Sequence, residues 1–484
     1  MLEPAVKSLH ARNTRAAATA LVCNDTHSYL NRTRMRGRLQ PRSAEDVAAA
    51  VRAIGERGEH LSVCGAQHAM GGQQFAENAW LLDMSAMNRV LDFDREQGLM
   101  RVEAGIRWPE LIRHYIIAQG SAPAPWGIRQ KQTGADRLTI GGAIAANIHG
   151  RGLAYGPFVE DIEALEIVLP DGSIAQCDRM RNVELLRRVV GGYGLFGIVT
   201  AAVIRLAPRR KVQRVVEIGR IEDIIRRFDE RIAAGYLYGD FQFSTAPEDR
   251  GFLSRGVFSC YRPVEDATPI RADQIRLSRA DWRRLLYLAH RNKLRAFNEF
   301  AEFYLQSSGQ IYWSDTHQLS VYLDDYHRSL DTALQACVPG SEMITELYVP
   351  RDRLAAFMND VREDFLRHRV NFIYGTVRLI ERDTLTMLAW ARERFACVIF
   401  NLHVDHDVRG LADAADAFRR LIDIAIHHGG SYFLTYHRHA TVGQVRACYP
   451  QFPAVLQAKR ALDPNETLTS DWYRHYRAAF EAER

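Results

Sequence analysis

The fold is decided by the stretch Ser62-Val63-Cys64-Gly65-Ala66-Gln67-His68-Ala69-Met70-Gly71-Gly72-Gln73. A strand-like stretch that contains the β-branched Val63 ends in Gly65-x-x-His68. Two further glycines and the side-chain amide of Gln73 follow directly. Such a turn lets consecutive backbone N–H groups converge on an anion, because glycine alone tolerates the positive φ and the close approach required. The stretch therefore predicts a pyrophosphate-binding turn from which His68 projects, placed to form a covalent bond to the ligand or to carry a proton.

The composition is that of a globular protein with more than one core. A chain of 484 residues is too long for one ordinary core, so two domains are expected. The formal net charge is only +5, and many arginines stand beside acidic residues, as in 351–353 and 392–394. That pattern is typical of solvated helix faces, so no nucleic-acid partner is expected. The modest basicity is a weak indication of an anionic substrate.

Cysteine usage and hydropathy favour a cytoplasmic protein without a membrane span. No apolar run approaches the ~20 residues of a membrane-crossing helix. Residues 16–23, which follow Arg12 and Arg15, are too weakly apolar for a signal sequence. The cysteines are odd in number, scattered and never in Cys-x-x-Cys, which predicts reduced thiols and neither a disulfide framework nor a metal site. They are Cys23, Cys64, Cys177, Cys260, Cys337, Cys397 and Cys448.

Changes in pattern along the chain predict four parts. Residues 1–36 are expected to be an N-terminal extension, and 37–210 a domain of short alternating helices and strands. Residues 211–441 are expected to form a second domain, a cap over the substrate built on a mixed sheet, and 442–484 a helical segment that returns to the first domain. The predicted fold class is a two-domain α+β protein.

Local signals predict individual elements. Ser43 caps a helix, further helices begin at Trp108 and cover 182–190, and 170–173 form a hairpin turn. The predicted strands of the first domain are 61–63, 80–84, 98–103, 162–169 and 198–206. The predicted strands of the second are 241–243, 346–349, 372–380 and 397–404, with helices over 270–301 and 354–369.

A second glycine motif is misleading. Gly192-Tyr193-Gly194-Leu195-Phe196-Gly197 matches the dinucleotide pattern Gly-x-Gly-x-x-Gly, which requires a strand before it and a helix after it. Here a predicted helix precedes the glycines and a predicted strand follows them. The sequence therefore excludes a nicotinamide-binding Rossmann domain.

A third glycine-bearing segment runs from Gly134 to Gly150 and contains Thr139-Ile140-Gly141-Gly142-Ala143-Ile144-Ala145-Ala146-Asn147-Ile148-His149. Its small residues allow a flat ligand to lie against the backbone, although alone they are equally compatible with tight helix packing. Taken in order, the three segments resemble the FAD-binding domain, of the PCMH type, of the vanillyl-alcohol-oxidase superfamily. The resemblance covers roughly residues 37–210 and a returning C-terminal piece.

The resemblance implies FAD as the cofactor. The amides of the first segment would bind the pyrophosphate, the second segment would line the cofactor, and Ile198 would contact its adenine side through the backbone. The residues implied to bind FAD are Cys64, Gly65, Ala66, Gln67, His68, Ala69, Met70, Gln73, Gly134, Thr139, Ile140, Gly141, Gly142, Ala146, Asn147, Ile148, His149, Gly197, Ile198 and Val199.

His68 stands where several relatives, among them cytokinin dehydrogenases and alditol and aldonolactone oxidases, attach the flavin 8α-methyl group to a histidine. The resemblance therefore implies covalent FAD through His68. The alternative is a histidine that only hydrogen-bonds the loop. No cysteine lies in 139–150, so a second, cysteinyl tether is not expected.

Three short segments of the second domain, 376–379, 400–405 and 434–438, resemble decaprenylphosphoryl-ribose oxidase. This resemblance is weaker than that of the first domain. Oxidation of an alcohol requires a base for the hydroxyl proton, since the flavin N5 accepts the hydride. Alternation places Asn401, His403 and Asp405 on one strand face. His403 is the first candidate base because its unperturbed pKa is near neutrality, and His149 in the flavin-lining segment is the second.

Three further residues are candidates by position. Arg378 would orient a substrate oxygen or stabilise charge on the reduced flavin. Tyr436, with His437 beside it, stands where the oxidase has a catalytic lysine. His403 replaces a cysteine of that enzyme, and Thr376 stands where aldonolactone-type oxidases have the glutamate of a Glu-x-Arg pair. These departures leave the specific substrate open.

The sequence therefore predicts an FAD-dependent oxidoreductase acting on a CH–OH group of a sugar, polyol or related hydroxylated small molecule, with O₂ or another electron acceptor. One alternative is an aldonolactone-type or secondary-metabolite oxidase. A second alternative is a non-catalytic flavin-binding scaffold. A third is a UDP-sugar reductase, for which NADPH would have to reduce, and so bleach, the flavin.

Overall fold

The computed structural model describes residues 21–321, 323 and 326–483. Residues 1–20 of the expected N-terminal extension, with most of its weakly apolar run, lie outside the described residues. Within the described part, no helix combines the length and the apolar character needed to cross a bilayer.

In its described residues, the first half contains a three-stranded parallel sheet, a five-stranded antiparallel sheet and two antiparallel pairs of short strands. Three short strands pair in parallel in the order β3-β5-β4, and five pair antiparallel in the order β10-β9-β11-β7-β6. The strands are β1 (Leu21–Cys23), β2 (Thr33–Met35), β3 (Gly37–Leu39), β4 (Leu61–Cys64), β5 (Trp80–Asp83), β6 (Val90–Asp94), β7 (Leu99–Glu103), β8 (Trp126–Gly127), β9 (Ile162–Val168), β10 (Ile174–Asp178), β11 (Ile198–Arg205) and β12 (Ala207–Pro208). The helices are α1 (Ala44–Gly55), α2 (Trp108–Gln119), α3 (Ile140–Ala146) and α4 (Val183–Val189).

Several local predictions for this half are confirmed. The Ser43 side chain accepts a hydrogen bond of 3.2 Å from the N–H of Asp46 and caps α1. The turn at 170–173 joins antiparallel β9 and β10. Helix α4 precedes the glycines of 192–197 and β11 follows them, so the order is the reverse of a Rossmann motif.

The second half is built on one eight-stranded sheet, whose pairings are antiparallel, in the order β16-β13-β15-β14-β18-β19-β17-β20. Its strands are β13 (Lys211–Arg220), β14 (Tyr238–Phe243), β15 (Arg255–Pro263), β16 (Ile311–Trp313), β17 (Gly340–Pro350), β18 (Phe372–Ile380), β19 (Phe395–Asp405) and β20 (Ser431–Tyr432). Its helices are α5 (Ile224–Ala233), α6 (Arg279–Arg291), α7 (Lys293–Gln306), α8 (Tyr326–Leu334), α9 (Leu354–His368) and α10 (Val408–His427). The parallel and antiparallel sheets with their helices confirm the predicted two-domain α+β class, although the pairings within the second sheet are antiparallel where a mixed sheet was predicted.

The helix predicted over 270–301 is wrong as a single element. It is two helices, α6 and α7, that meet at Asn292. The Asn292 side chain accepts a hydrogen bond of 2.9 Å from the N–H of Arg295, and its own N–H donates to the carbonyl of Leu288 at 2.7 Å. Asparagine competes with the helical backbone for hydrogen bonds, so it ends one helix and begins the next.

The C-terminal segment forms α11 (Val442–Cys448), α12 (Phe452–Leu462) and α13 (Asp471–Ala482). Between the last two helices, Leu468 pairs in parallel with Leu61 of β4. The N–H of Leu61 donates to the carbonyl of Thr467 at 2.8 Å, and the N–H of Thr469 donates to the carbonyl of Leu61 at 2.9 Å. The segment thus extends the sheet at the strand that leads into the Gly65 turn. The predicted limits of the four parts stay predictions.

The register of the second sheet places polar residues on one face. Arg378 on β18 is opposite Cys397 on β19, and His403 is opposite Glu342 on β17. Because side chains two residues apart share a face, Glu346 lies on the same face as Glu342. This face forms one wall of a cavity that both halves of the protein line.

Candidate active site

Both halves of the protein line a cavity of about 990 Å³. It receives residues from all three glycine segments and from the polar face of the second sheet. Of the candidate site residues, the cavity is lined by Cys64, Gly65, Ala66, Gln67, His68, Ala69, Met70, Gln73, Gly134, Thr139, Gly141, Gly142, Ala146, Ile148, His149, Gly197, Ile198, Val199, Arg378, Asn401 and Tyr436. Ile140, Asn147, His403 and His437 are not among its lining residues.

The turn after β4 is a close-packed piece of backbone. Gln67 adopts a φ of 60°, in the left-handed region. A Cβ on Gly65 would lie 2.2 Å from the Thr139 hydroxyl oxygen, so only glycine fits between the first and second segments. The Gln73 side-chain amide donates to the carbonyl of Leu434 at 3.0 Å, which connects the turn to the second half.

His68 lies against a second histidine. Its Nδ1 is 2.8 Å from His27 Nε2 and 3.2 Å from the Thr26 hydroxyl oxygen. Burial, followed by the charges of His27, Arg107 and Arg137, lowers the pKa of His68 to about 3. His68 is therefore neutral at physiological pH. Sequence reasoning missed His27, because it lies 41 residues before His68 and carries no motif of its own.

The second segment forms a short helix that begins at Thr139. The Thr139 hydroxyl caps α3 by accepting from the N–H of Gly142 at 3.2 Å. Asn147, with a φ of 48°, ends the helix, and its side chain donates to Asp383 at 3.0 Å. Asn147 and Ile140 are both fully buried, so they hold the segment in place without forming the wall of the cavity.

Behind this segment, a carboxylate missed by sequence reasoning organises the polar wall. Glu346 Oε1 lies 2.5 Å from His149 Nε2, 2.6 Å from the hydroxyl of Tyr348 and 3.2 Å from the Cys397 sulfur. Glu346 Oε2 accepts from the hydroxyl of Tyr436 at 3.1 Å. A possible signal in the sequence is that the charged Glu346 directly precedes the apolar residues 347–349 of a predicted strand.

The electrostatics of this group favour an ionised carboxylate. Burial would raise the pKa of Glu346, but the charge and hydrogen bond of His149, the Tyr348 hydroxyl and the charge of Arg378 lower it to about 2. Burial and the negative charge of Glu346 raise the pKa of Tyr436 well above its ordinary value. Tyr436 is therefore a hydrogen-bond donor at neutral pH, not a base.

Arg378 is buried, and its Nη2 donates to the Thr133 hydroxyl. In the described part of the chain, Arg378 Nε has no hydrogen-bond partner. A buried guanidinium N–H without a partner is costly, which indicates an acceptor supplied by a ligand. Asn401 lines the same cavity from β19.

Two histidine candidates lie elsewhere. His403 Nδ1 is 3.5 Å from Glu342 Oε1, four residues along β17 from Glu346, which is roughly 13 Å at the rise of a strand. His437 stacks on His439 with ring centroids 5.6 Å apart. Burial, and next the charge of His439, lower the pKa of His437 to about 3.

The residues around the cavity fit FAD. Gly134 and Gly194 have φ values of 85° and 76°, and a Cβ on either would meet no atom within 4 Å. Open space therefore adjoins the backbone at both glycines. The turn around Gly65, the cavity-lining residues of α3 and Arg378 Nε, which has no partner among the described residues, supply contacts for an anionic, flat ligand.

Comparison with known proteins agrees with this geometry. Residues 36–178 match the family described as FAD binding domain. An uncharacterised oxidoreductase of the fasciation locus of Rhodococcoides fascians is 31% identical over 166 residues, 34% of this chain and 36% of that protein. Cytokinin dehydrogenase 1 of Arabidopsis thaliana is 31% identical over 177 residues, 35% of this chain and 30% of that protein. D-arabinono-1,4-lactone oxidase of Eremothecium gossypii is 29% identical over 194 residues, 39% of this chain and 35% of that protein.

The fold and the cavity define a flavoprotein. Residues 36–178 belong to an FAD-binding domain, and FAD is the cofactor. The matched segments span about a third of the length of these relatives.

Proposed function

We propose that the protein is an FAD-dependent oxidoreductase that oxidises a CH–OH group of a hydroxylated small molecule. FAD supplies the N5 atom that accepts the hydride, and the electrons pass on to O₂ or another acceptor. The observation that carries this proposal is the buried, ionised carboxylate of Glu346 at the cavity wall. The name of the lactone oxidase supports a CH–OH donor, whereas that of the cytokinin dehydrogenases does not.

The hydrogen bonds of Glu346 leave room for a substrate hydroxyl. Oε1 accepts from His149, Tyr348 and Cys397, whereas Oε2 accepts from Tyr436 alone among the described residues. A carboxylate oxygen has two lone pairs, so Oε2 retains one acceptor position. Glu346 therefore accepts a hydrogen bond from the substrate hydroxyl in this proposal and orients it, and the hydroxyl proton passes to the hydrogen-bonded pair of Glu346 and His149 as the hydride leaves.

His149 and Arg378 have supporting roles. His149 Nδ1 is 3.0 Å from the carbonyl of Gly150, so both of its nitrogens face oxygen acceptors. The ring is therefore held rigidly and orients Glu346. Arg378 Nε, which has no partner in the described part of the chain, would donate to a substrate oxygen or stabilise negative charge on the reduced flavin, and Asn401 would offer its amide to a further substrate oxygen.

The opposite part of the cavity is apolar. Helices α6 and α7 contribute Trp282, Leu285, Leu286, Phe297, Phe300 and Phe303. A free polyol would leave these side chains in contact with water, at a cost proportional to the apolar area. The proposed substrate thus carries an apolar group attached to its hydroxylated part.

We also propose that His68 is covalently attached to the flavin. Its low pKa favours the neutral imidazole, which is the nucleophilic form of the side chain. His27, 2.8 Å away, is placed to accept the proton that His68 releases. Acid precipitation of the purified protein should leave a yellow pellet, and a colourless pellet with yellow supernatant would contradict the attachment.

Anaerobic reduction of the flavin tests the function. Purified protein is mixed with hydroxylated compounds with and without an apolar group, aldonolactones, polyols and amines, and the flavin absorbance is recorded. An alcohol with an apolar group should bleach the flavin fastest, and Glu346→Gln should slow that bleaching by about 10²–10⁴-fold. Bleaching by amines alone would overturn the CH–OH assignment, and bleaching by none would favour a scaffold.

A further inference from the structure

A second cluster of ionisable residues lies on the polar sheet face, apart from the Glu346 group. Its centre is Glu342 on β17, and around it lie His290 from α6, His403 from β19 and His327 from α8. The side chains of Glu342 and His290 are each 4% exposed. A buried carboxylate surrounded by three imidazoles needs a reason beyond packing.

The distances within the cluster match those between the ligands of a metal ion. His290 Nε2 is 3.4 Å, and His403 Nδ1 3.5 Å, from the same oxygen of Glu342, Oε1. Both distances are long for a hydrogen bond. Nitrogen and oxygen ligands at 2.0–2.1 Å from a tetrahedral ion lie about 3.3–3.4 Å apart. One ligand atom from each of His290, Glu342 and His403 lies within 4.8 Å of the others.

An unsatisfied atom points to the missing ligand. His290 Nε2 is buried, and among the residues that the structure describes no atom makes a well-formed hydrogen bond with it; its nearest acceptor is Glu342 Oε1, at 3.4 Å. An imidazole nitrogen buried without a partner is destabilising unless something occupies the space in front of it. A metal ion at the centre of the three ligand atoms would satisfy it.

Outer contacts resemble those that orient metal ligands. His403 Nε2, the nitrogen that faces away from Glu342, is 3.5 Å from the Asp405 carboxylate. The other oxygen of Glu342, Oε2, lies 3.0 Å from His327 Nδ1 and accepts from the Tyr326 hydroxyl. Metal-binding histidines and carboxylates are commonly held by such second contacts.

The other groups of potential ligands are less suitable. His149 and Glu346 are 2.5 Å apart, which is a hydrogen bond and too short for two ligands of one ion. Asp360 and His428 are likewise hydrogen-bonded at 2.7 Å, and His427, which completes that group, is exposed.

We propose that His290, Glu342 and His403 bind a divalent transition-metal ion at the wall of the substrate cavity. Two imidazoles and one carboxylate are donors typical of Zn²⁺ and Fe²⁺ sites, and three protein ligands leave a coordination position open. Glu342, Tyr326 and His327 line the cavity, so the open position is accessible to an oxygen of a cavity ligand. The expectation of no metal site rested on cysteine spacing, which carries no information about these three residues.

Zinc binding to the full-length, FAD-loaded protein tests the site. After removal of bound metal with a chelator, Zn²⁺ is titrated calorimetrically, and metal content is measured after dialysis. One Zn²⁺ per chain is expected, with the Kd raised at least about 10-fold in His290→Ala and in His403→Ala. His427→Ala, in the exposed group, is the matched control and should leave the Kd unchanged. Equal binding by wild type and both variants, or no stoichiometric binding by the wild type, would overturn the proposal.

A measurement on the wild type alone covers the case in which the variants do not fold. X-ray absorption at the zinc edge should show imidazole and carboxylate ligands without sulfur. Sulfur in the coordination shell would place the ion at Cys397 instead and refute the site. Neither experiment needs a substrate, so the outcome is independent of the proposed oxidation.

Discussion

Glu346→Gln is the most informative perturbation of the protein. The surroundings of Glu346 lower its pKa from 4.5 to about 2. At 1.36 kcal/mol per pKa unit, this shift corresponds to about 3 kcal/mol of preference for the ionised side chain in the folded state. Glutamine has the same shape without the charge, so the variant should lose about that amount of stability at pH 7.

The stabilisation by ionised Glu346 should decrease as the pH falls. Because the folded-state pKa is lowered, the stabilisation is complete above pH 4.5 and is lost as the pH falls towards about 2. The difference in unfolding free energy between wild type and Glu346→Gln should be constant from pH 8 to about pH 6 and roughly halved by pH 3.

Urea unfolding, followed by circular dichroism at several pH values, measures this difference. Glu184→Gln is the matched control, because the Glu184 side chain is 68% exposed and its pair with Arg187 lies at the surface. It should change stability by less than about 1 kcal/mol. A loss below about 1 kcal/mol for Glu346→Gln at pH 7, or one independent of pH, would refute an ionised Glu346 stabilised by its neighbours.

Further variants probe the cofactor and the substrate separately. His68→Ala should retain FAD but release all of it on acid precipitation, and retention of colour in the pellet would contradict the tether. Gly65→Ala places a Cβ 2.2 Å from the Thr139 hydroxyl oxygen and should abolish FAD binding, whereas Gly443→Ala, with its nearest atom at 3.9 Å, should bind FAD normally. Arg378→Ala should keep FAD and lower kcat/KM by about 10²-fold, and an unchanged kcat/KM would remove Arg378 from the mechanism.

Local signals predicted the flavin-binding half well. The glycines at 65, 141 and 142, the cap at Ser43 and the hairpin at 170–173 are determined by residues close in the chain. Each carries its own steric or hydrogen-bonding requirement. The misleading motif at 192–197 could be rejected for the same reason, since the order of its neighbouring elements was readable.

The polar wall could not be predicted in the same way. Glu346 meets His149 across 197 residues, and His290, Glu342 and His403 come from a helix and two strands. Contacts between residues so far apart in the sequence depend on strand order and register, which a local sequence pattern does not determine. The alternation on β19 predicted that Asn401, His403 and Asp405 share a face, but it carried no information about which residues of other elements would lie beside them.

The pairing of Leu468 with Leu61 has a consequence for biosynthesis. The strand that enters the cofactor turn acquires this neighbour only after about 400 more residues have left the ribosome. A chain that lacks residues from Leu468 onward would lack this neighbour, so we expect it to bind FAD less tightly than the full chain does. A tag inserted or a truncation made close to Leu468 would therefore disturb the turn at Gly65, which is distant in the sequence but adjacent in space.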